Sequence, residues 1–196
     1  MNRVRTRLLR FGFGLVLCAA AGSLAAAPFG IVQLMQSMAE SKPASATFSE
    51  KKYLAVLDKP VESSGELRFV PPNRLEKRTL KPKPELLVLD GEQLQVERRG
   101  KKHVLQLANY PEIAGMVESI RATLAGDKAA LERVYRLDLS GGFNAWVLNL
   151  VPHDARVAGI VTRIRMEGAR DEVRRMEILL ADGDRSVMQI RPGIKP

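Results

Sequence analysis

The sequence predicts an α+β fold: one large antiparallel sheet with a few helices packed on one of its faces. Through most of the chain, apolar and polar residues alternate in short runs, the two-residue period of a strand with one buried side. Turn-forming residues separate those runs at roughly hairpin spacing. Two segments break the alternation with helical spacing, one ahead of the first strand and one in the middle of the chain.

Taken in order, Ile31, Leu34, Met35 and Met38 fall at helical offsets between Phe29 and Ser41, and Ser41-Lys42-Pro43 stops the pattern because proline cannot continue a helix. A short amphipathic helix therefore opens the domain. From Ala44 to Leu107 the pairs Leu67 and Phe69, Leu87 and Leu89, Leu94 and Val96, and Leu105 and Leu107 mark strands with one apolar face. Ser63-Ser64-Gly65, Pro71-Pro72-Asn73, Asp90-Gly91 and Arg99-Gly100-Lys101 supply turn chemistry between them. Pro111 to Gly126 then carries Ile113, Met116, Val117, Ile120 and Leu124 on one helical face, with proline in the first turn and glycine just past the end. Gly115 weakens that helix by up to about 1 kcal/mol relative to alanine. Alternation resumes at Leu137 and Leu139, at Trp146, Leu148 and Leu150, at Ile160, Ile164 and Met166, at Met176, Ile178 and Leu180, and at Met188 and Ile190. Asp182-Gly183-Asp184 reads as the last hairpin turn, and Ser140-Gly141-Gly142 as a loop.

The first 27 residues read as a signal peptide. Arg3, Arg5, Arg7 and Arg10 make a positive start, and Phe11 to Ala21 form an apolar run too short to span a bilayer. The small residues Ser23 and Ala25 place the cut after Ala25. Cys18, the only cysteine, lies inside that run, so the processed protein has no internal disulfide. Leu17 stands where a lipobox needs a small residue, which argues against lipid attachment at Cys18. Residues 28–196 suit a single domain. The chain has 31 basic and 22 acidic residues; without the four leader arginines the surplus is five, too mild for nucleic-acid binding. No later apolar stretch reaches 18 residues. The expected compartment is a Gram-negative periplasm.

The residues that usually carry chemistry are sparse. His103 and His153 are the only histidines, and neither has a partner at metal-ligand spacing. The mature chain has no cysteine, nucleophile elbow, phosphate loop or dinucleotide fingerprint, and Asp182-Gly183-Asp184 lacks the oxygen ligands of a calcium loop. No catalytic residue, metal site or cofactor is expected. Basic residues cluster at Arg74, Lys77, Arg78, Lys81 and Lys83, at Arg98, Arg99, Lys101 and Lys102, and at Arg170, Arg174 and Arg175. A solvated outer sheet face accounts for most of them; the sharper alternative is transient attraction to an anionic membrane surface or an acidic protein. Inward positions are mainly leucine, isoleucine and methionine, with aromatic residues only 5% of the chain. That composition fits an ordinary core first, and also a surface that repacks around acyl groups.

Three segments follow the opening helix in a telling order: Ala46-Thr47-Phe48-Ser49-Glu50, then Ser63-Ser64-Gly65-Glu66-Leu67-Arg68-Phe69-Val70-Pro71-Pro72-Asn73-Arg74-Leu75, then Leu89-Asp90-Gly91-Glu92-Gln93-Leu94. With Tyr135-Arg136-Leu137-Asp138-Leu139-Ser140-Gly141 and Trp146-Val147-Leu148-Asn149-Leu150-Val151-Pro152, this order resembles a divergent branch of the LolA-type periplasmic carriers of outer-membrane lipoproteins. The resemblance implies an incomplete antiparallel β-barrel, a single large curved sheet, with a helical lid on its concave face and acyl chains bound between them. Glu50 stands where the family usually has glutamine, and the Glu76-Lys77 region lacks its usual tryptophan. Pro71 replaces the arginine that ties down the lid in well-known members, so this lid must be held by other means.

On that footing Met116, Ile120 and Leu124 on the lid, with Phe48, Phe69, Leu89, Trp146, Leu148, Ile164 and Ile178 on the sheet, are expected to line an apolar cavity. Burying the five apolar side chains of the 111 to 126 helix yields up to about 7–15 kcal/mol, while ordering each of its residues costs about 1–2 kcal/mol. The lid is thus expected to be near balance. The resemblance further implies a monomeric carrier that takes an acylated lipoprotein or lipid cargo from an inner-membrane donor to an outer-membrane acceptor. The rival reading is a lipid-sensing or docking protein of the same fold that moves no cargo. An enzyme acting on a lipid ranks third.

Overall fold

The computed structural model describes residues 29–41 and 43–193; the expected signal peptide, with Cys18, lies outside the described residues. Helix α1 (Ile31–Ala39) precedes six strands: β1 (Ala44–Tyr53), β2 (Val61–Val70), β3 (Arg74–Lys81), β4 (Glu85–Asp90), β5 (Gln93–Arg98) and β6 (Lys101–Gln106). A 3-10 turn (Leu107–Asn109), α2 (Pro111–Ala125) and α3 (Lys128–Glu132) follow. The chain then forms β7 (Tyr135–Gly142), β8 (Ala145–Pro152), α4 (Ala155–Ala158), β9 (Val161–Ala169), β10 (Glu172–Leu180) and β11 (Arg185–Pro192).

All eleven strands belong to one sheet in the order β6-β5-β4-β3-β2-β1-β11-β10-β9-β8-β7, with every recorded pair antiparallel. The sheet forms an incomplete barrel whose edges, β6 and β7, do not pair. This topology dictates a lid. The chain leaves the sheet at β6 on one edge and must re-enter at β7 on the other, so residues 107–134 have to cross it. Eleven strands about 4.8 Å apart would measure roughly 48 Å across if laid flat. The 15 residues of α2 supply about 22 Å of that crossing. Pro111 opens α2 and Gly126 closes it in the left-handed conformation at φ 70°, as the sequence predicts.

The main core lies where the helices meet β7, β8 and β9. Leu34, Met35 and Met38 of α1 and Leu131 of α3 pack there with Tyr135, Trp146, Leu148, Leu150 and Ile164. Trp146 occupies its place because glycines flank it: it pairs with Gly141 on β7 and Gly168 on β9. A Cβ on Gly168 would lie 2.2 Å from the indole.

Two turn assignments differ from the sequence expectation. Ser63-Ser64-Gly65 lies inside β2, and the chain reverses instead over residues 54–60. Gly65 is required there by a close approach rather than a turn: a Cβ would sit 1.9 Å from the Arg78 carbonyl oxygen, where the β2–β3 register shifts. Ser140-Gly141-Gly142 is the end of β7, not a loop, and Gly141 takes φ 88° opposite Trp146. Helices α3 and α4 were not legible, being too short for a periodic pattern. Each is set by an aspartate at its start, Asp127 accepting from the Ala130 amide (2.9 Å) and Asp154 from the Arg156 and Val157 amides (2.9 and 3.2 Å).

Candidate functional site: an apolar hollow beneath the connecting helix

Paired residues of an antiparallel sheet share a face, so Phe48 and its neighbours identify the inner one. In its first rows, Ala44 pairs with Phe69 and Ala46 with Leu67 on β2, and Phe69 and Leu67 pair in turn with Leu75 and Lys77 on β3. At the end of the barrel bearing the β2–β3 and β9–β10 turns, Ala46, Leu67, Phe69, Leu75 and Ile190 floor an apolar hollow. Met38 of α1 and Leu124 of α2 lie across it. Its volume is about 120 Å³, below the roughly 300 Å³ at which ordinary ligand pockets begin. With α2 in this position the hollow is smaller than a long acyl chain.

The residues expected to line a cavity divide into groups. Phe69 and Leu124 border the hollow. Leu89 is buried beside Leu75 through the β3–β4 pairing. Phe48 is buried one row deeper, with the Lys77 ammonium 4.9 Å from its ring centroid. Trp146, Leu148 and Ile164 are fully buried in the main core, and Met116, Ile120 and Ile178 pack half-buried against it. Ala46, Leu75, Ile190 and Met38 were not proposed from sequence. Leu75 could have been found, because it stands two strands' register from Ala44 through Phe69; Ala46 carries no signal in an apolar count.

The buried side of α2 also differs from its apolar stripe. Ser119, Ala122 and Thr123 are its most buried residues. The Ser119 hydroxyl donates to the Met116 carbonyl and the Thr123 hydroxyl to the Ser119 carbonyl, both at 2.7 Å, so neither is left without a partner. Gly115 has a packing reason, since a Cβ would meet a Val157 methyl of α4 at 2.4 Å. Small residues thus let α2 lie close to its neighbours where larger apolar ones would hold it off.

Polar contacts fasten α2 at both ends. The Tyr135 hydroxyl donates to the Gly115 carbonyl (3.2 Å). At the hollow, Arg121 Nη1 donates to Asn73 Oδ1 (2.7 Å) and to the Pro72 carbonyl (3.2 Å) in the β2–β3 turn. Glu118 braces the guanidinium, accepting from Nε at 2.7 Å and from Nη2. The tie is therefore inverted relative to the arrangement the resemblance implies: the arginine rides on the helix and the acceptors sit in the turn beside Pro71. Charge-assisted hydrogen bonds of this kind contribute roughly 1.5–3 kcal/mol when sheltered, less at a partly exposed site. Arg121→Ala is expected to speed entry of a fluorescent acyl probe roughly tenfold in stopped-flow mixing, without lowering the melting temperature by more than a few degrees. An unchanged entry rate would show that Arg121 does not restrain the lid.

Beyond Phe48 the inner face turns polar. Glu50 is 5% exposed, accepting from Lys77 Nζ (2.5 Å), Ser186 Oγ (2.6 Å) and Ser63 Oγ (3.3 Å). Burial pushes its carboxyl up, but the charge and hydrogen bond of Lys77, the Ser186 hydroxyl and Lys52 together outweigh burial and hold it below the ordinary glutamate value. A lowered carboxylate pKa contributes stability above the ordinary range, lost as pH falls through the folded-state value. Acid unfolding of Glu50→Gln should accordingly depend less steeply on pH than that of the wild type; parallel acid profiles would refute this role.

An open antiparallel half-barrel whose inner-face hollow is capped by the helix joining its two edges defines the class of protein. The chain belongs to the outer membrane lipoprotein carrier protein LolA-like family, whose profile matches residues 21–190. Solved structures similar in outline include a LolA superfamily protein from Nitrosomonas europaea, 10% identical, with a TM-score of 0.46 over 84% of this chain and 93% of that one. The Mycobacterium tuberculosis lipoprotein LppX is 9% identical, with a TM-score of 0.42 over 82% of this chain and 92% of that one. A chain of the Pseudomonas aeruginosa MucA/MucB complex is 16% identical, with a TM-score of 0.43 over 84% of this chain; the match spans 56% of that chain. No curated protein sequence matches.

Proposed function

We propose that this protein is a periplasmic carrier that binds acyl chains of a lipoprotein or lipid in the hollow beneath α2 and takes them toward the outer membrane. The observation that carries this reading is the hollow itself: an apolar recess, open at the barrel end, under a helix fastened at its rim by Arg121. A sixteen-carbon chain gains roughly 12 kcal/mol on leaving water, at about 0.8 kcal/mol per methylene. Crossing an aqueous gap unaided is therefore prohibitive, and a mobile apolar recess removes that barrier.

In this reading residues 1–27 are a cleavable export signal and residues 28–196 the carrier domain. The protein works as a monomer between an inner-membrane donor and an outer-membrane acceptor, in transient contact with anionic membrane surface, and performs no covalent chemistry. Loading is coupled to lid movement: the entering chain displaces Leu124 and Met38, and release of Arg121 from Asn73 opens the way. The test is acyl transfer between two vesicle populations with mature protein as the only shuttle. Concentration-dependent acceleration is expected. Tight probe binding without acceleration would instead identify a non-transporting lipid sensor.

A further inference from the structure

The inner face of β1 to β6 changes character along the strands, from apolar at the hollow to polar and basic away from it. The row from Phe69 through Leu75, Leu89 and Leu94 to Leu105 is wholly apolar, and the next, Leu67, Lys77, Leu87, Val96 and His103, is mixed. The next row, away from the hollow, runs Thr79, Glu85, Arg98, Lys101, and Glu50 with Ser63 lies further along β1 and β2. Lys77 sits at the boundary, held between Glu50 and the Phe48 ring. The sequence reading placed these basic residues mainly on a solvated outer face; Lys77, Arg98 and Lys101 are on the inner one.

That polar end is a second recess, of about 310 Å³, to which Lys52, Lys77, Lys83, Arg98 and Arg99 contribute cations against the two carboxylates Glu50 and Glu85. It shares Arg98 and Arg99 with a neighbouring recess that adds Lys101 and His103. Both carboxylates are already engaged, Glu50 by Lys77 and Glu85 by Arg98 (2.5 Å each). Lys83, Arg99 and Lys101 have no ion pair among the described residues. Inward charges on an edge strand can serve simply to block edge pairing, which accounts for Lys101 on β6. It does not account for Lys52 and Lys77 on the interior strands β1 and β3.

We infer that this basic end of the inner face binds the anionic headgroup, a phosphate or carboxylate, of an amphiphile whose acyl chain enters the apolar hollow. From Leu67, on the floor of the hollow, to Ser63, on the wall of the basic recess, the two sites are four residues apart along β2, or about 13 Å, so one molecule reaches both. The inference rests on the carrier reading and narrows its cargo to anionic amphiphiles. Uncommitted cations over a low-dielectric floor concentrate their field on a guest there, while Lys77 and Arg98 keep the neighbouring carboxylates from repelling it.

The test compares oleoyl lysophosphatidate with monooleoylglycerol, which lacks only the phosphate, as competitors of a fluorescent acyl probe. It uses mature wild type and the double variant Lys83→Gln, Arg99→Gln, whose changes fall on exposed side chains. Lysophosphatidate should compete about tenfold to a hundredfold better than the neutral lipid at low salt. The variant should bring it down to the neutral lipid's level while leaving that lipid's own competition unchanged. Equal competition by both lipids in the wild type, or a preference that survives in the variant, overturns the headgroup site and leaves the carrier reading intact. Failure of both lipids overturns the carrier reading and this inference with it. Inorganic phosphate that binds as tightly as lysophosphatidate by calorimetry shows a free-anion site and overturns the amphiphile assignment.

Discussion

Trp146→Ala is expected to destabilise the domain by about 3–5 kcal/mol, a large share of the 5–15 kcal/mol by which domains of this size are folded. The indole is 1% exposed, its Nε1 donates to the Arg170 carbonyl at 2.9 Å, and the strands on both sides present glycines to it. Removing the ring leaves a cavity that Gly141 and Gly168 have no side chains to fill, and it strips a partner from the β9–β10 turn. The reciprocal change tests the same contact. Gly168→Val places a Cβ within 2.2 Å of the indole and 2.1 Å of the Glu172 carbonyl oxygen, so it should destabilise comparably. Trp146→Leu added to Gly168→Val should recover only part of the loss, because the backbone clash with Glu172 remains. Urea unfolding of the three proteins is the measurement; a loss below about 1 kcal/mol for Trp146→Ala would show that this contact is not central to the core.

The glycines also show why some of the fold was legible in the sequence and some was not. Leu67 and Phe69, or Leu148 and Leu150, declare a strand because alternation is local and requires no knowledge of the partner strand. The same holds for α2, whose proline and glycine mark its ends. Gly65 and Gly168 signal something non-local: one is small because Arg78 of the next strand approaches it, the other because Trp146 lies over it. In sequence both look like turn residues or ordinary breaks, and Ser63-Ser64-Gly65 carries turn chemistry although it lies inside β2. Closure of β1 onto β11 is equally non-local, and it is this pairing that forces residues 107–134 across the sheet.

The site was partly legible for a similar reason. Alternation identifies which side chains share a face, as it does for Leu67 and Phe69, but it does not say which helix covers which strand. The helices settle over β7 to β9, which makes Trp146, Leu148 and Ile164 core residues and leaves the hollow further along the sheet, at β1 to β3 and β11. Arg121 escaped notice because its acceptors, Pro72 and Asn73, are nearly fifty residues away in the chain. Lys77 stands among basic residues that suggest a solvated face, yet a period of two from Leu75 puts it on the inner one.

Leu124→Asp is expected to lower acyl-probe affinity by at least about a hundredfold while the domain stays folded. Leu124 lies across the hollow from Phe69 and Leu75 and is only half-buried, so in the empty protein an aspartate there can keep contact with water. Once an acyl chain enters, the carboxylate is either dehydrated without a partner, at a cost of several kcal/mol, or it holds the lid open and forfeits the apolar contact of chain against helix. Every 1.4 kcal/mol lost is tenfold in affinity. Ala46→Trp reaches the same end by volume: an indole on the floor of a recess of about 120 Å³ occupies the space the chain must take. The two variants fail for unrelated reasons, one electrostatic and from the lid, the other steric and from the sheet. Joint loss of probe binding with cooperative thermal unfolding retained would locate the chain in this hollow. Affinities within about threefold of the wild type for both would place the acyl chain elsewhere and remove the basis for a carrier that loads beneath α2.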